Sequence, residues 1–503
     1  MDVPEGSHDA REPETPDPVA EAHDGDAPEP GAAAPSQGGS SARRTLAVAA
    51  LSFLWPGLGH LALGRRRAAA AFAIPAVLLA ILAISQIAPD PELFGANLWD
   101  PSYFYPFLVL LLGFAAWRVA ALLHATLPSW RAPRRFRVET AVAALLVAAI
   151  LAMHGAAAAE AWVWYQTSVD IQNNNFIDEA MATPTPSLTP TPEPTATPTS
   201  TLTASPSATA TPTPTPVPSP TQYVNPDRIT FLLIGIDFTT GRSTGSTDTL
   251  MVISVDTKAK TAAMISVPRD TAGFELYWGG FLASNVKINS LLAGVYNGKI
   301  KSPDDPMTTL KKEIGYLVGI PIDYYAAIDM DGFPPIVDAI GGVDVYNPRY
   351  INDSVAHLVM PAGPVHLDGK TALKYVRSRE NGGSDYLRAS RQQQVLLALK
   401  AKILSGSSLS RFNAVLSIVG KVVATDFPLK NAKNYVSVGK SLTKIDSCVL
   451  GPPYSYHPDT STTRGIWVSH LDYGKVASLS LYEFGKDSTY SGFQNVTPKA
   501  CQS

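Results

Sequence analysis

The chain has 503 residues, 46% of them apolar, and a net charge of −3, which allows about three domains at roughly 100–200 residues each. Only two cysteines argue against a disulfide scaffold, and no basic tract points to nucleic acid. Charge and apolarity are unevenly spread, which excludes a simple soluble cytosolic enzyme.

Residues 1–42 open the chain. The first 40 carry ten acidic side chains and one base, Arg11, with many Pro, Gly and Ala and no aromatics. Such a segment buries too little apolar surface to offset its ordering entropy, so a disordered tail is expected. It lacks the basic start of a signal peptide.

Residues 45–165 read as a membrane region. Ala68–Ala88, Tyr103–Leu127 and Thr140–Trp164 are each long enough for a bilayer of about 30 Å. Thr45–Leu63 is interrupted by Trp55-Pro56-Gly57-Leu58-Gly59-His60, and Pro with two Gly weakens a continuous helix. A re-entrant or interfacial segment is expected there. Arg65–Arg67, and Arg131, Arg134, Arg135 and Arg137, mark cytoplasmic loops. Everything after the third span is then expected outside, in a multi-pass protein of the plasma membrane whose amino-terminal tail is cytoplasmic.

Residues 183–222 hold 14 Thr and 12 Pro in 40 positions. Polyproline II is expected, reaching on the order of 120 Å at about 3.1 Å per residue. The segment reads as a linker that spaces the next domain into the wall layer.

Residues 227–487 read as an α/β domain with a mixed central sheet flanked by helices, and 488–503 as a tail. Apolar runs at Ile229–Ile236, Leu250–Val255, Ala262–Val267 and Tyr324–Asp329 read as buried strands, and Val343–Tyr346 as another. Helices are expected at Gly332–Ala339 and Ser390–Leu404, and Ala372–Arg379 mixes a helix end with extended chain.

Polar residues cluster at the ends of these runs: Asp237, Asp248, Arg269, and Lys287 with Asn289. Arg377 and Arg379 are spaced to share one face of an extended chain. Arg388 and Gln392 are spaced to share one face of a helix, with Arg391 beside them. Two carboxylates suit a hard cation such as Mg²⁺, which combines one or two of them with phosphate oxygens. Arg forks suit phosphate. Together they describe a pyrophosphate site with a metal, the equipment of phosphoryl transfer. There is no GxxxxGK[ST] and no GxSxG, and His357 and His366 read as loop histidines.

From Arg228 to about Leu404 the chain resembles the LytR-CpsA-Psr (LCP) family of wall glycopolymer ligases. The resemblance lies in FLLIGID (231–237), STDTLMVISVD (246–256), ISVPRDT (265–271), KIN (287–289), GIPIDYYAAIDMDGFPPIVDAIGGVDV (319–345), LDGKTALKYVRSR (367–379) and DYLRASRQQQVL (385–396). It implies a membrane-anchored catalytic domain outside the cell. That domain would move a glycan-1-phosphate from an undecaprenyl-pyrophosphate carrier to peptidoglycan. It implies Mg²⁺ on Asp237 and Asp248, and pyrophosphate on Arg269, Arg377, Arg379, Arg388 and Gln392, with Lys287 in a family motif. Asp237, Asp248, Arg269, Arg377 and Arg379 would form the catalytic set. It also implies an apolar tunnel for the polyprenyl tail, between sheet and helices.

The chain departs from the family at Ser246-Thr247-Asp248-Thr249, where Arg usually stands two residues before the Asp; Arg242, in a Gly-flanked loop, is the substitute expected here, the alternative being a solvated Arg242 and a site with one fewer phosphate contact. Three spans also exceed the family's usual single anchor. Alternatives are a lipid pyrophosphatase, glycan transfer to protein, or a non-catalytic polyprenyl-lipid binder that regulates the wall. Cys448 and Cys501 both fall on the oxidising side, where a bond would tie the tail to the strand near Val449, the alternative being two unpaired thiols.

Overall fold

The computed structural model describes residues 38–126, 136–182, 225–237, 245–379, 385–405, 415, 418–492 and 496–502. The expectations for most of the acidic tail, the Arg131–Arg135 loop, Arg242 and the Pro/Thr-rich 183–222 lie outside the described residues.

The first part is a helical bundle: α1 (Gly38–Leu54), α2 (Leu58–Ala62), α3 (Arg66–Ile87), α4 (Pro91–Asn97), α5 (Pro101–Thr126), α6 (Phe136–Gln172) and α7 (Phe176–Ala182). α3, α5 and α6 are long and apolar enough to cross a membrane, as the three apolar stretches require. The chain breaks after α1 at Trp55–Gly57. Gly57 has φ +98°, and a Cβ there would lie 2.5 Å from the Ala69 carbonyl oxygen, so glycine is required. The short α2 then folds back onto α1 as a helical hairpin.

The second part is an α/β domain. Its strands are β1 (Arg228–Asp237), β2 (Ser246–Asp256), β3 (Thr261–Ser266), β4 (Tyr324–Asp329), β5 (Val343–Asn347), β6 (Ile351–Asp353), β7 (Leu358–Met360), β8 (Gly363–Leu367), β9 (Val423–Thr425), β10 (Lys444–Val449), β11 (Ser455–Tyr456) and β12 (His470–Leu471). Its helices are α8 (Leu291–Tyr296), α9 (Pro306–Val318), α10 (Phe333–Ala339), α11 (Gly369–Arg377), α12 (Asp385–Ser405), α13 (Ala432–Ser441) and α14 (Tyr473–Phe484). Six strands form one mixed sheet in the order β10-β3-β2-β1-β4-β9. β1 runs parallel to β4 and antiparallel to β2.

Alternation along β1 divides the interior. Leu232, Ile234 and Ile236 point into a core completed by Leu310 and Ile314 of α9 and Leu479 of α14. On the other side, Val337 of α10, Tyr375 of α11 and Val395 of α12 build a second core with the β5–β8 and β6–β7 hairpins. The result is three layers, helices on sheet on helices.

The domain is seated on the bundle at the end opposite Arg65–Arg67. Lys440 Nζ lies 2.8 Å from Asp90 Oδ1, and Lys433 Nζ lies 3.6 Å from Asp100 Oδ2. Asn174 Nδ2 donates to the Gly420 carbonyl at 3.2 Å. Ile171 of α6 joins Ile229, Phe427, Leu429 and Ala432 in an apolar cluster. Ile177 of α7 is buried in the main domain core. At the other flank of the Pro/Thr-rich segment, Asn225 donates to Asp487 at 2.8 Å. Both flanks therefore attach to the same domain, and α6, α7 and α13 set its distance from the bundle.

Cys448 and Cys501 are bonded, tying the carboxy-terminal tail to β10.

Candidate functional site

One face of β1 leads to the site. Ile229 and Phe231 sit in the cluster that meets the bundle, Leu233 and Gly235 line a cavity, and Asp237 ends the strand. At about 3.3 Å per residue, some 26 Å separate Ile229 from Asp237. The cavity, of about 160 Å³, lies between the sheet and α10–α12 and is lined almost wholly by apolar side chains. Gly235 is needed in its wall, because a Cβ there would lie 2.9 Å from Thr249 Oγ1 and 3.1 Å from Met330 Sδ.

A bulge between Gly235 and Ile236 shifts the β1–β2 register, so Asp237 pairs with Ser246 and Asp248 is the extra residue. Four arginines converge on this strand end. Arg269, just past β3, donates to Asp248 Oδ1 at 2.5 Å. Arg377 Nη2 lies 3.4 Å from Asp237 Oδ2. Arg388 Nη2 lies 2.9 Å from Asp385 Oδ1 and donates to the Asp248 carbonyl at 3.1 Å. Arg379 Nη2 donates to Asp385 at 3.2 Å. Gln392, one turn along α12 from Arg388, lines the cavity and donates to the Val376 carbonyl at 3.4 Å.

The expected i, i+2 geometry of Arg377 and Arg379 is corrected. Arg377 is the last residue of α11, and Ser378 is extended after it. The two guanidiniums therefore diverge, one to Asp237 and the other to Asp385, and both still reach the site. Lys287 is paired with Asp270, the residue after Arg269, with Nζ 2.6 Å from Asp270 Oδ1. Arg391 has a structural contact, donating to the Ser378 carbonyl at 2.8 Å.

Two residues were not singled out from the sequence. Asp385, only 4% exposed, is the hub carboxylate shared by Arg388, Arg379 and, at 3.8 Å, Arg269. Its i, i+3 spacing to Arg388 was a usable signal, but α12 begins five residues earlier than expected. Asp329 ends β4 opposite Ile236. Burial pushes its carboxyl above the usual range; the charges of Asp331 and Asp237 add to the rise, against a hydrogen bond from Asp331 N and the charge of Arg377.

The arginine electrostatics follow from burial and pairing. Burial disfavours the Arg269 charge, but Asp248, then Asp385 and Asp270, more than offset it and hold its pKa above the usual arginine value. Burial pushes Arg388 down to about 10 despite Asp385, and Arg269 adds to the fall. It stays charged at neutral pH. Arg269 Nε, Arg377 Nη2 and Arg388 Nε are buried and make no hydrogen bond among the described residues, the first two lying only in ion-pair range, 3.8 Å from Asp385 and 3.4 Å from Asp237. A buried donor without an acceptor costs about 1–3 kcal/mol, more when charged. Three such donors at one strand end suit a multiply charged anion with several acceptor oxygens.

Among the described residues no cluster of three metal-ligating side chains occurs. Asp237 and Asp248 are hard oxygen donors beside those guanidiniums. A pair of carboxylates completed by anion oxygens fits Mg²⁺, which seldom takes a full protein cage.

A family model described as the LytR_cpsA_psr family matches residues 197–469, more than half of the chain. The chain is 30% identical over 265 residues to "polyisoprenyl-teichoic acid--peptidoglycan teichoic acid transferase TagV" of Bacillus subtilis (strain 168), covering 48% of this chain and 65% of that protein. It is 37% identical over 199 residues to a TagU protein of the same description from Bacillus mycoides (strain KBAB4), covering 39% and 60%. The chain thus spans less than two thirds of the length of these two relatives. Among solved structures, it is similar to that of B. subtilis TagV, at TM-score 0.41 and 26% identity, covering 51% of this chain and 97% of that one. TagT bound to LIIa-WTA gives TM-score 0.40 and 25% identity, covering 52% and 92%.

Proposed function

Because this chain belongs to the LytR_cpsA_psr family, we propose that it is a multi-pass plasma-membrane phosphotransferase with its α/β domain outside the cell. It takes a glycan-1-phosphate from an undecaprenyl-pyrophosphate carrier and joins it to peptidoglycan. The arginine-rich loops Arg65–Arg67 and Arg131–Arg137 support this orientation. The named activities of TagV and TagU support polymer transfer to peptidoglycan.

The observation that carries the reading is the set of buried, unbonded guanidinium donors of Arg269, Arg377 and Arg388 above an apolar cavity. In this reading the arginines hold the pyrophosphate and the cavity takes the first part of the polyprenyl chain. An acceptor hydroxyl attacks the sugar-linked phosphorus, a new P–O bond forms, the pyrophosphate bridge breaks, and the hydroxyl proton passes to the departing phosphate. The lipid leaves as its monophosphate. Arg269, Arg379 and Arg388 orient the group and offset the charge that grows on the leaving phosphate. Asp385 holds these three in place. Mg²⁺, on Asp237 and Asp248, would supply further neutralisation of the pyrophosphate. Ser246 leaves β2 without the family's usual Arg, and Arg242 takes its place in this reading.

The test is the purified full-length protein with a polyprenyl-pyrophosphoryl sugar, Mg²⁺ and peptidoglycan fragments. Glycan-bearing fragments and polyprenyl monophosphate are expected in equal amounts. Polyprenyl monophosphate without fragment modification would make the protein a pyrophosphatase, and binding without turnover would make it a lipid-binding regulator. Arg242→Ala lowers turnover at least about tenfold if Arg242 contacts phosphate, about 1.4 kcal/mol. An unchanged rate removes it from the site.

A further inference from the structure

A line of aromatic rings leads out of the arginine cluster. Tyr386 directly follows the hub carboxylate Asp385. Its hydroxyl lies 3.2 Å from Ser455 Oγ, 3.2 Å from His457 Nε2 and 3.1 Å from Ser469 Oγ. His457 Nδ1 lies 2.8 Å from the Val468 carbonyl oxygen, which only accepts, so Nδ1 carries the proton. In the neutral ring Nε2 is then the acceptor of the Tyr386 hydroxyl. Both ring nitrogens are used, and the imidazole is fixed. Against it lies Trp467, with ring centroids 4.0 Å apart. Tyr386 approaches the other ring neighbour, His457, at 6.0 Å. Trp467 is 44% exposed.

This hairpin is also pinned to the site through the backbone. Ala272 N donates to the Ser469 carbonyl and Ser469 N to the Asp270 carbonyl, both at 2.9 Å. The irregular segment bearing Trp467, just before β12, therefore runs beside the residues that immediately follow Arg269.

We propose that Trp467, backed by His457 and Tyr386, is a stacking platform for a pyranose ring of the glycan that reacts at the arginine cluster. The inference rests on the transferase reading above and adds a glycan subsite to it. An indole presents a large flat apolar face at low entropic cost, with an N–H at its edge. A pyranose presents a face of C–H groups ringed by hydroxyls, which matches such a surface. The rings start beside Asp385, the carboxylate that positions the arginines, so a glycan on the phosphate those arginines hold would run out toward them. A bilayer occupant is disfavoured by position. The bundle meets the sheet at β9 and at the Ile229 end of β1, whereas the segment before β12 that bears Trp467 lies beside the chain that leaves β3, at the Asp237 end.

The experiment measures binding to full-length wild type, Trp467→Phe and Trp467→Leu. Phe keeps a ring face, whereas Leu keeps apolar bulk against His457 and guards against a folding defect. Three probes are used: soluble peptidoglycan glycan fragments, a polyprenyl-pyrophosphoryl monosaccharide, and polyprenyl pyrophosphate without sugar. Trp467→Leu is expected to weaken a sugar-bearing probe about tenfold and Trp467→Phe less than threefold, while polyprenyl pyrophosphate is unchanged. A loss confined to the fragments assigns the platform to the acceptor. A loss confined to the sugar-bearing lipid assigns it to the donor glycan. Equal binding of every probe by Leu and Phe variants overturns the platform. Failure of wild type to bind polyprenyl pyrophosphate would instead strike the transferase reading, and leaves the fragment measurement intact.

Discussion

The bundle and the α/β domain use the same aliphatic residues in opposite senses. In the domain, Leu232, Ile234 and Ile236 are fully buried in the core. In the bundle, Leu78 and Leu145 are 62% and 68% exposed, while His60 and Arg118 are buried. His60 Nε2 meets His124 Nδ1 at 2.8 Å, and Arg118 donates to the Phe53 carbonyl at 2.5 Å. Apolar surface exposed along whole helices is stable only against hydrocarbon, and polar groups there must find partners inside. The contrast teaches that hydropathy states how much apolar surface there is, and the solvent decides which way it points.

The strongest break in the comparison falls at the domain's paired charges. Asp385→Ala leaves three guanidiniums without their shared carboxylate. Turnover should fall more than about a hundredfold, and stability by about 3–5 kcal/mol, as for a broken buried ion pair. Kinetic assay and thermal unfolding check the two parts. Asp237→Ala and Asp248→Ala should abolish transfer while the domain still folds, with a lowered unfolding midpoint because each leaves a guanidinium without its carboxylate; Mg²⁺-dependent turnover in either would refute their role.

Next comes the tail staple. Cys501→Ser opens a loop closed across a sequence separation of 53. The chain-entropy account gives a loss of about 4 kcal/mol, with measured values often smaller. Denaturant unfolding should show it, while polyprenyl pyrophosphate binding stays unchanged.

The two solvents are compared directly by Leu78→Lys and Val359→Lys. The side chains are similarly exposed, at 62% and 68%. Lys in mid-α3 should cost about 2.5–3.5 kcal/mol of insertion. Val359, on β7, should accept Lys with almost no change. Equal effects in a membrane-insertion assay and in thermal unfolding would erase the distinction.

A smaller effect is expected inside the domain at Glu313 of α9. Burial pushes its carboxyl up to about 8, against a hydrogen bond from Tyr277 N, and Glu275 adds to the rise. The folded chain then keeps a proton that the unfolded chain releases near 4.5, so stability falls as pH rises between those values. Glu313→Gln should raise the unfolding midpoint by several degrees at pH 8 and hardly at pH 5. Equal shifts at both would show that the charge is not the cause.

The least effect is expected at the seam between the two regions. Lys440→Ala removes a partly exposed ion pair worth about 0–1 kcal/mol. Shortening the chain between Pro184 and Pro220 should leave turnover within about twofold, because both flanks sit on the same domain. A large loss of activity on shortening would restore the spacer.

Much of this was legible in the linear chain. The runs at Ile229–Ile236 and Ala262–Val267 became β1 and β3, because strands buried on both faces need nearly continuous apolar residues. Helix α9 was passed over, although Asp305-Pro306 and Gly319 mark its ends, Asp305 accepting from Met307 N and Thr308 N. In the site, Asp237, Asp248, Arg269, Arg377, Arg379, Arg388 and Gln392 come together, and Lys287 pairs beside them. Asp385 was missed because its value comes from three arginines distant in sequence or across a turn.

What the sequence by itself determined was local or compositional: three helices of bilayer length, the break at Gly57, the four central strands of the sheet and the motif residues at their ends. Each follows from hydropathy, periodicity or backbone sterics acting within a few residues. Tertiary structure alone decided that Arg377 turns to Asp237 and Arg379 to Asp385. It also decided that Cys448 meets Cys501, that Trp467 packs against His457, and that the domain rests on the bundle through Ile171 and Lys440. These are contacts between segments tens to hundreds of residues apart, or choices among nearby partners, and packing free energy selects them only once the layers have closed.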